Sequence, residues 1–132
     1  MLAGCGAAAR QAPSYASAGN AICTEQATQL AGLRQPATVE QAVVYLPPAL
    51  AIMRRETARL GALDTTGSGR AKLTAALAST RALTALLARL LRELRHGMVE
   101  FGELAAVQSQ TTALRARVDA RFRQADLPGC VE

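Results

Sequence analysis

Between residues 70 and 95 the sequence carries a seam that only one kind of local structure accommodates. Leu73, Leu77, Leu83, Leu87, Leu90 and Leu94 recur at steps of three and four, with Thr80 completing the series, and no Gly or Pro interrupts them. That spacing places all seven side chains on one face of an α-helix. A helix with such a face buries it against other elements. His96-Gly97 ends the segment, since Gly is favoured just past a helix. The composition supports the same class. Half of the residues are hydrophobic, and these are mostly Ala and Leu, with two Tyr, two Phe and no Trp. Strand-favouring β-branched and aromatic residues are scarce, whereas Ala, Leu, Arg, Gln and Glu form helices readily. The expected fold is all-α.

Three further helices follow from the same periodicity. The first is expected from about Ala18 to Leu33, with Ala18, Ile22, Gln26, Leu30 and Leu33 in one stripe, Cys23 beside it, and Pro36 ending it. Thr38 and Gln41 form a capping-box pattern for the second. Its stripe of Val39, Ala42, Val43 and Leu46 meets Pro47-Pro48, where a kink or break is expected. The pattern resumes at Leu50, Met53, Leu60 and Leu63. Residues 64–69 read as a loop. The fourth helix, about Val99 to Ala125, uses Phe101, Leu104, Val107, Thr111, Leu114, Val118, Phe122 and Ala125, and Leu127-Pro128-Gly129 terminates it. Four amphipathic helices with short loops predict an antiparallel four-helix up-down bundle with a Pro-kinked second helix, spanning residues 18–132. The alternative is a three-helix arrangement with the pieces around Pro47-Pro48 packed as two short arms.

The N-terminal residues have a different character. Leu2-Ala3-Gly4-Cys5 matches the lipobox of bacterial lipoproteins, in which small residues admit the signal peptidase and the cysteine sulfur accepts a diacylglycerol. Cys5 is therefore the expected lipidation site, and the charged and apolar regions of the signal are expected upstream of this sequence. Chance occurrence in an Ala-rich sequence is the competing explanation. Residues 6–17 are small and polar with one Pro, as in a flexible tether, so residues 1–17 read as lipobox remnant and tether.

The chain has three cysteines. Lipidation of Cys5 leaves Cys23 and Cys130, an even pair suited to an oxidising compartment. In an up-down bundle the start of the first helix and the end of the fourth lie at the same end. A turn at Leu127-Pro128-Gly129 then carries Cys130 back towards Cys23. A Cys23–Cys130 disulfide is expected, the alternative being two buried thiols.

The Asn20-Ala21-Ile22-Cys23 opening, the Leu46-Pro47-Pro48 step, the long Ala/Leu/Arg helices and the Ala125-to-Cys130 ending together resemble a type of small exported helical protein found in actinobacteria. The ending has one residue fewer between Ala and Leu than that pattern. The resemblance covers residues 18–132. It implies export, a terminal cysteine pair and a helical bundle, and it implies no activity.

Other constellations favour structural roles. His96 stands at a helix C-terminus, where a cation complements the dipole. Glu93 three residues before it supplies one copy of a Glu-x-x-His motif that di-metal bundles use twice, so no metal site is expected. Glu100 and Glu103 fall in the first turn of the fourth helix, where acid is ordinary. Ser68 and Ser79 have no base partner in view. The net charge is +5, and Lys72 is the single lysine among fifteen basic residues, a bias that a GC-rich coding sequence explains. Arg81, Arg89, Arg92 and Arg95, and likewise Arg117, Arg121 and Arg123, are expected on solvated faces. No aromatic interleaving supports nucleic-acid binding.

These readings lead to a non-enzymatic cell-envelope lipoprotein without a cofactor. It would be anchored through Cys5 on the extracytoplasmic face of a bacterial membrane, or secreted, and present its bundle surface to an envelope partner. The alternative is a binding module holding a lipid or other apolar small molecule in the bundle core, for which a cavity between the helices is the discriminating observation.

Overall fold

The computed structural model describes residues 15–97 and 99–132, apart from the Phe101 side chain. Among these residues there are four α-helices and no strand: α1 (Ala16–Ala31), α2 (Val39–Gly61), α3 (Gly67–Arg95) and α4 (Phe101–Gln124). A single 3₁₀ turn follows at Pro128–Cys130. Each helix packs on the next in the chain. The architecture is a four-helix bundle, as the periodicity predicts.

The helix boundaries have local causes. At the start of α2 the Gln41 N–H donates to Thr38 Oγ1 at 3.2 Å, and Gln41 Oε1 accepts from the Ala37 N–H at 2.8 Å. α2 then runs unbroken through Pro47 and Pro48, which removes the arrangement of two short arms. α3 begins at Gly67, three residues before the expected Arg70. Of the two glycines that suggest a loop there, Gly67 takes a left-handed φ of +62° at the helix start and Gly69 serves packing. A side chain on Gly69 would stand 3.0 Å from the Tyr15 ring. α3 ends with His96 as its C-cap and Gly97 at φ +63°, the left-handed geometry that Gly adopts without strain.

The core has two centres. One gathers Ile22 and Cys23 of α1, Leu60 of α2, Leu73 and Leu77 of α3, Phe122 of α4, and Leu127 beyond it. The other joins Leu46 and Leu50 of α2 to Leu91 and Leu94 of α3, with Leu104 of α4 against them. α1 has 16 residues and α3 has 29, or roughly 24 and 44 Å at 1.5 Å per residue. α1 therefore accompanies only part of the bundle. α3 is long and apolar enough to cross a membrane, but its leucine face forms the seam of both core centres.

Three expectations about the packing require correction. Tyr15, Ala16 and Ser17 belong to the domain and not to the tether. Tyr15 and Ala16 are buried, α1 starts at Ala16, and the Tyr15 hydroxyl donates to the Ala125 carbonyl at 2.7 Å. In α1 the buried position is Gly19, with Ala18 exposed, because Leu127 packs where a side chain would be: a Cβ on Gly19 would lie 2.7 Å from Leu127 Cδ2. In the second half of α3, Leu86 and Leu91 are buried while Leu87 and Leu90 are only partly so. A helix of 3.6 residues per turn drifts against a 3.5-residue seam, and α3 faces both α2 and α4.

Candidate functional site

α1 and α4, the pair that would close the ring of helices, do not lie side by side. The C-terminal segment holds them apart at one end. Leu127 is fully buried, and the Gly129 N–H donates to Asn20 Oδ1 at 2.7 Å. Cys130 is paired with Cys23 as a disulfide, with Cα atoms 4.9 Å apart, as expected for these two residues. Gly129 meets a steric requirement here, since a Cβ on it would stand 2.7 Å from the same Asn20 oxygen.

A cleft of about 220 Å³ opens beside this tail, with walls from all four helices. That exceeds the ~150 Å³ that suffices to hold benzene in an apolar cavity. Leu30, Leu46, Met53, Leu83 and Phe122 supply apolar lining. The charged lining comes from Glu56 on α2, Arg115 and Asp119 on α4, and Glu132 on the tail.

Glu56 distinguishes this cleft from a packing defect. Met53, Glu56 and Leu60 lie at steps of three and four, so the carboxyl projects from the face of α2 that builds the core. Glu56 is 5% exposed, and its Oε2 is buried with no hydrogen-bond partner among the described residues. Burial, with a smaller contribution from the nearby Glu132 carboxylate, pushes its pKa up to about 8. The neighbouring charges are occupied elsewhere. Arg115 Nη1 donates to Glu132 Oε2 at 2.7 Å, and the Glu132 N–H donates to Asp119 Oδ1 at 3.2 Å. Thr80, also on the wall, donates its hydroxyl to the Ala76 carbonyl at 3.1 Å. A protonated Glu56 offers the cleft an O–H donor, and an ionised one a single negative charge.

The residues singled out from sequence lie elsewhere, with one exception. Cys130 borders the cleft. His96 is exposed at the end of α3, and the Glu103 carboxylate accepts from the Glu100 N–H at 3.3 Å as part of the α4 N-terminus. Ser68 is exposed, and Ser79 Oγ donates to the Ala75 carbonyl at 3.3 Å. Arg81, Arg89, Arg92, Arg95, Arg117, Arg121 and Arg123 are all exposed. Cys5 lies outside the described residues. Sequence reasoning missed Glu56, Arg115, Asp119 and Glu132. For Glu56 the available signal was a carboxylate in register with an apolar stripe. Among the described residues no three His, Cys, Asp or Glu side chains gather as a metal site.

The chain is thus a disulfide-closed all-α bundle with a cleft over a buried carboxyl. No protein-family model, curated protein or solved structure matches it.

Proposed function

We propose that this chain is an exported binding module that takes a mostly apolar small molecule into the cleft between its helices. The observation that carries this reading is Glu56: a buried carboxyl oxygen without a partner among the described residues, set in an opening with apolar side chains on the walls from every helix. Leaving such a group unsatisfied costs about 1–3 kcal/mol, and a ligand that completes its hydrogen bonding recovers that loss. The competing reading, a bundle that only presents a surface, calls for an exposed apolar patch. The large hydrophobics that are exposed among the described residues are Val39 and Val44.

Export is supported by the Cys23–Cys130 pair, and the lipobox adds a membrane tether at Cys5, in keeping with the actinobacterial exported type that the sequence resembles. Titration of the purified, oxidised protein with n-octanol, followed by NMR, tests the binding role. Saturable one-to-one binding is expected. It is lost in Ala49→Leu, which fills the cleft from a buried wall position. Absence of saturable binding by n-octanol and by its charged analogues n-octylamine and octanoic acid alike refutes the role. Fractionation of the protein expressed with a full upstream signal tests the tether, and equal partitioning of the parent and Cys5→Ser refutes it.

A further inference from the structure

We infer that the cleft selects an amphiphilic amine: a ligand whose apolar body lies against the leucine-rich wall and whose ammonium pairs with Glu56. This rests on the cleft being a ligand site and adds the charge of what enters it.

Three carboxylates and one guanidinium line the opening, in a protein whose net charge is +5. The wall residues therefore oppose the sign of the whole chain. The one cation, Arg115, is already engaged with Glu132 at 2.7 Å and stands half exposed at the rim. Glu56 is the deep group and has no cation of its own among the described residues. The remaining groups facing it do not supply one. The α1 wall offers Gln26 and the α3 wall offers Thr80, while Tyr45 on α2 is the only other titratable side chain at the opening among the described residues. An incoming anion would meet Glu56, Asp119 and Glu132 together. A neutral alcohol would satisfy the carboxyl but leave that local negative charge uncompensated. A bare metal ion is disfavoured because the carboxylates do not gather into a metal-binding group.

The proton balance is simple. The ligand arrives as an ammonium, with a pKa near the ~10.4 of a lysine side chain. Glu56, whose proton is held up to about pH 8, releases it to solvent as the pair forms. No covalent bond is made or broken apart from that O–H. Binding is linked to the loss of this proton, so affinity for the amine falls about tenfold per pH unit below 8 and is level just above it.

The test is calorimetric titration of the full oxidised chain with n-octylamine, n-octanol and octanoic acid at pH 6, 7 and 8.5, in buffers of differing ionisation enthalpy. The expected result at pH 8.5 is octylamine binding at least about tenfold more tightly than octanol, with octanoic acid weakest. At pH 7 close to one proton leaves per octylamine bound, and none per octanol. Glu56→Gln abolishes both the amine preference and the proton release. Asp119→Asn, at the wall and not at the carboxyl, lowers the amine preference only partly. Equal binding of octylamine and octanol, tighter binding at lower pH, or no proton release overturns the amine inference and leaves the cleft as a site for neutral ligands. Failure of all three probes to bind overturns the binding module itself.

Discussion

Replacing Glu56 by Gln removes a titrating proton from the core while nearly preserving shape, and the consequence is calculable. In the unfolded chain Glu56 titrates near its ordinary value of 4.5, and in the folded chain near 8. Below about pH 4.5 both states hold the proton. Between 4.5 and 8 the unfolded chain has released it and the folded chain retains it, so stability falls as pH rises. Above 8 no further loss arises from this group. Each unit is worth about 1.4 kcal/mol, so from pH 5.5 to 7.5 the wild type loses about 3 kcal/mol that Glu56→Gln does not. Against the 5–15 kcal/mol typical of whole domains, that difference is large. At a urea m-value of roughly 1.5 kcal/mol/M it moves the midpoint by about 2 M. Urea denaturation followed by far-ultraviolet circular dichroism at both pH values reads it directly. Contributions from groups that do not interact with Glu56 are common to both proteins and cancel in the comparison. Parallel pH profiles of wild type and Glu56→Gln would refute the argument, because the proton would then not be held by burial at this site.

Further outcomes follow from the packing. Reducing the Cys23–Cys130 bond, or replacing both residues by Ser, frees a loop spanning 107 positions and should cost up to about 4–5 kcal/mol in thermal or urea unfolding. Leu73→Ala, at a fully buried seam position, should cost about 2–5 kcal/mol, whereas Arg92→Ala on an exposed face should cost under about 0.5 kcal/mol, and equal costs would contradict the assignment of faces. Tyr15→Phe deletes the buried bond to the Ala125 carbonyl and should lose about 1–2 kcal/mol by the same measurement, while an unchanged midpoint would place Tyr15 outside the domain.

What the sequence makes legible depends on how local the cause is. The seam of α3 could be read because a helix imposes its period on any face that packs. The Thr38–Gln41 cap could be read because it is settled within four residues. The cysteine pairing needed only counting and the topology of an even-numbered bundle. Tyr15 escaped because its partners, Ala125 and Gly69, lie 110 and 54 positions away, and nothing nearby distinguishes it from tether. The exchange of Ala18 for Gly19 escaped for the same reason, since Leu127 decides it from the other end of the chain. Glu56 follows Arg54-Arg55 and so looks like part of a solvated charged run. Only its register with Met53 and Leu60 betrays the buried face. The cleft was not legible in any single segment, because it arises from the absence of close backbone contact between α1 and α4.

That absence connects the disulfide to the site. Close backbone contact between the first and last helices would leave less room beside the carboxyl at position 56. Here the tail is interposed between α1 and α4, held to α1 by Cys23–Cys130 and by the Gly129–Asn20 hydrogen bond, and held to α4 by Arg115–Glu132. Both Cys130 and Glu132 border the cleft, so the segment that spaces the helices is also part of its wall. The energies are of the same order. Holding Glu56 protonated at pH 7 costs about 3 kcal/mol relative to the unfolded chain. The cross-link contributes up to about 4–5 kcal/mol by limiting the unfolded ensemble. A covalent clamp at one end thus offsets an unsatisfied carboxyl and an unfilled opening at its side, and it does so without adding apolar side chains that would close the cleft.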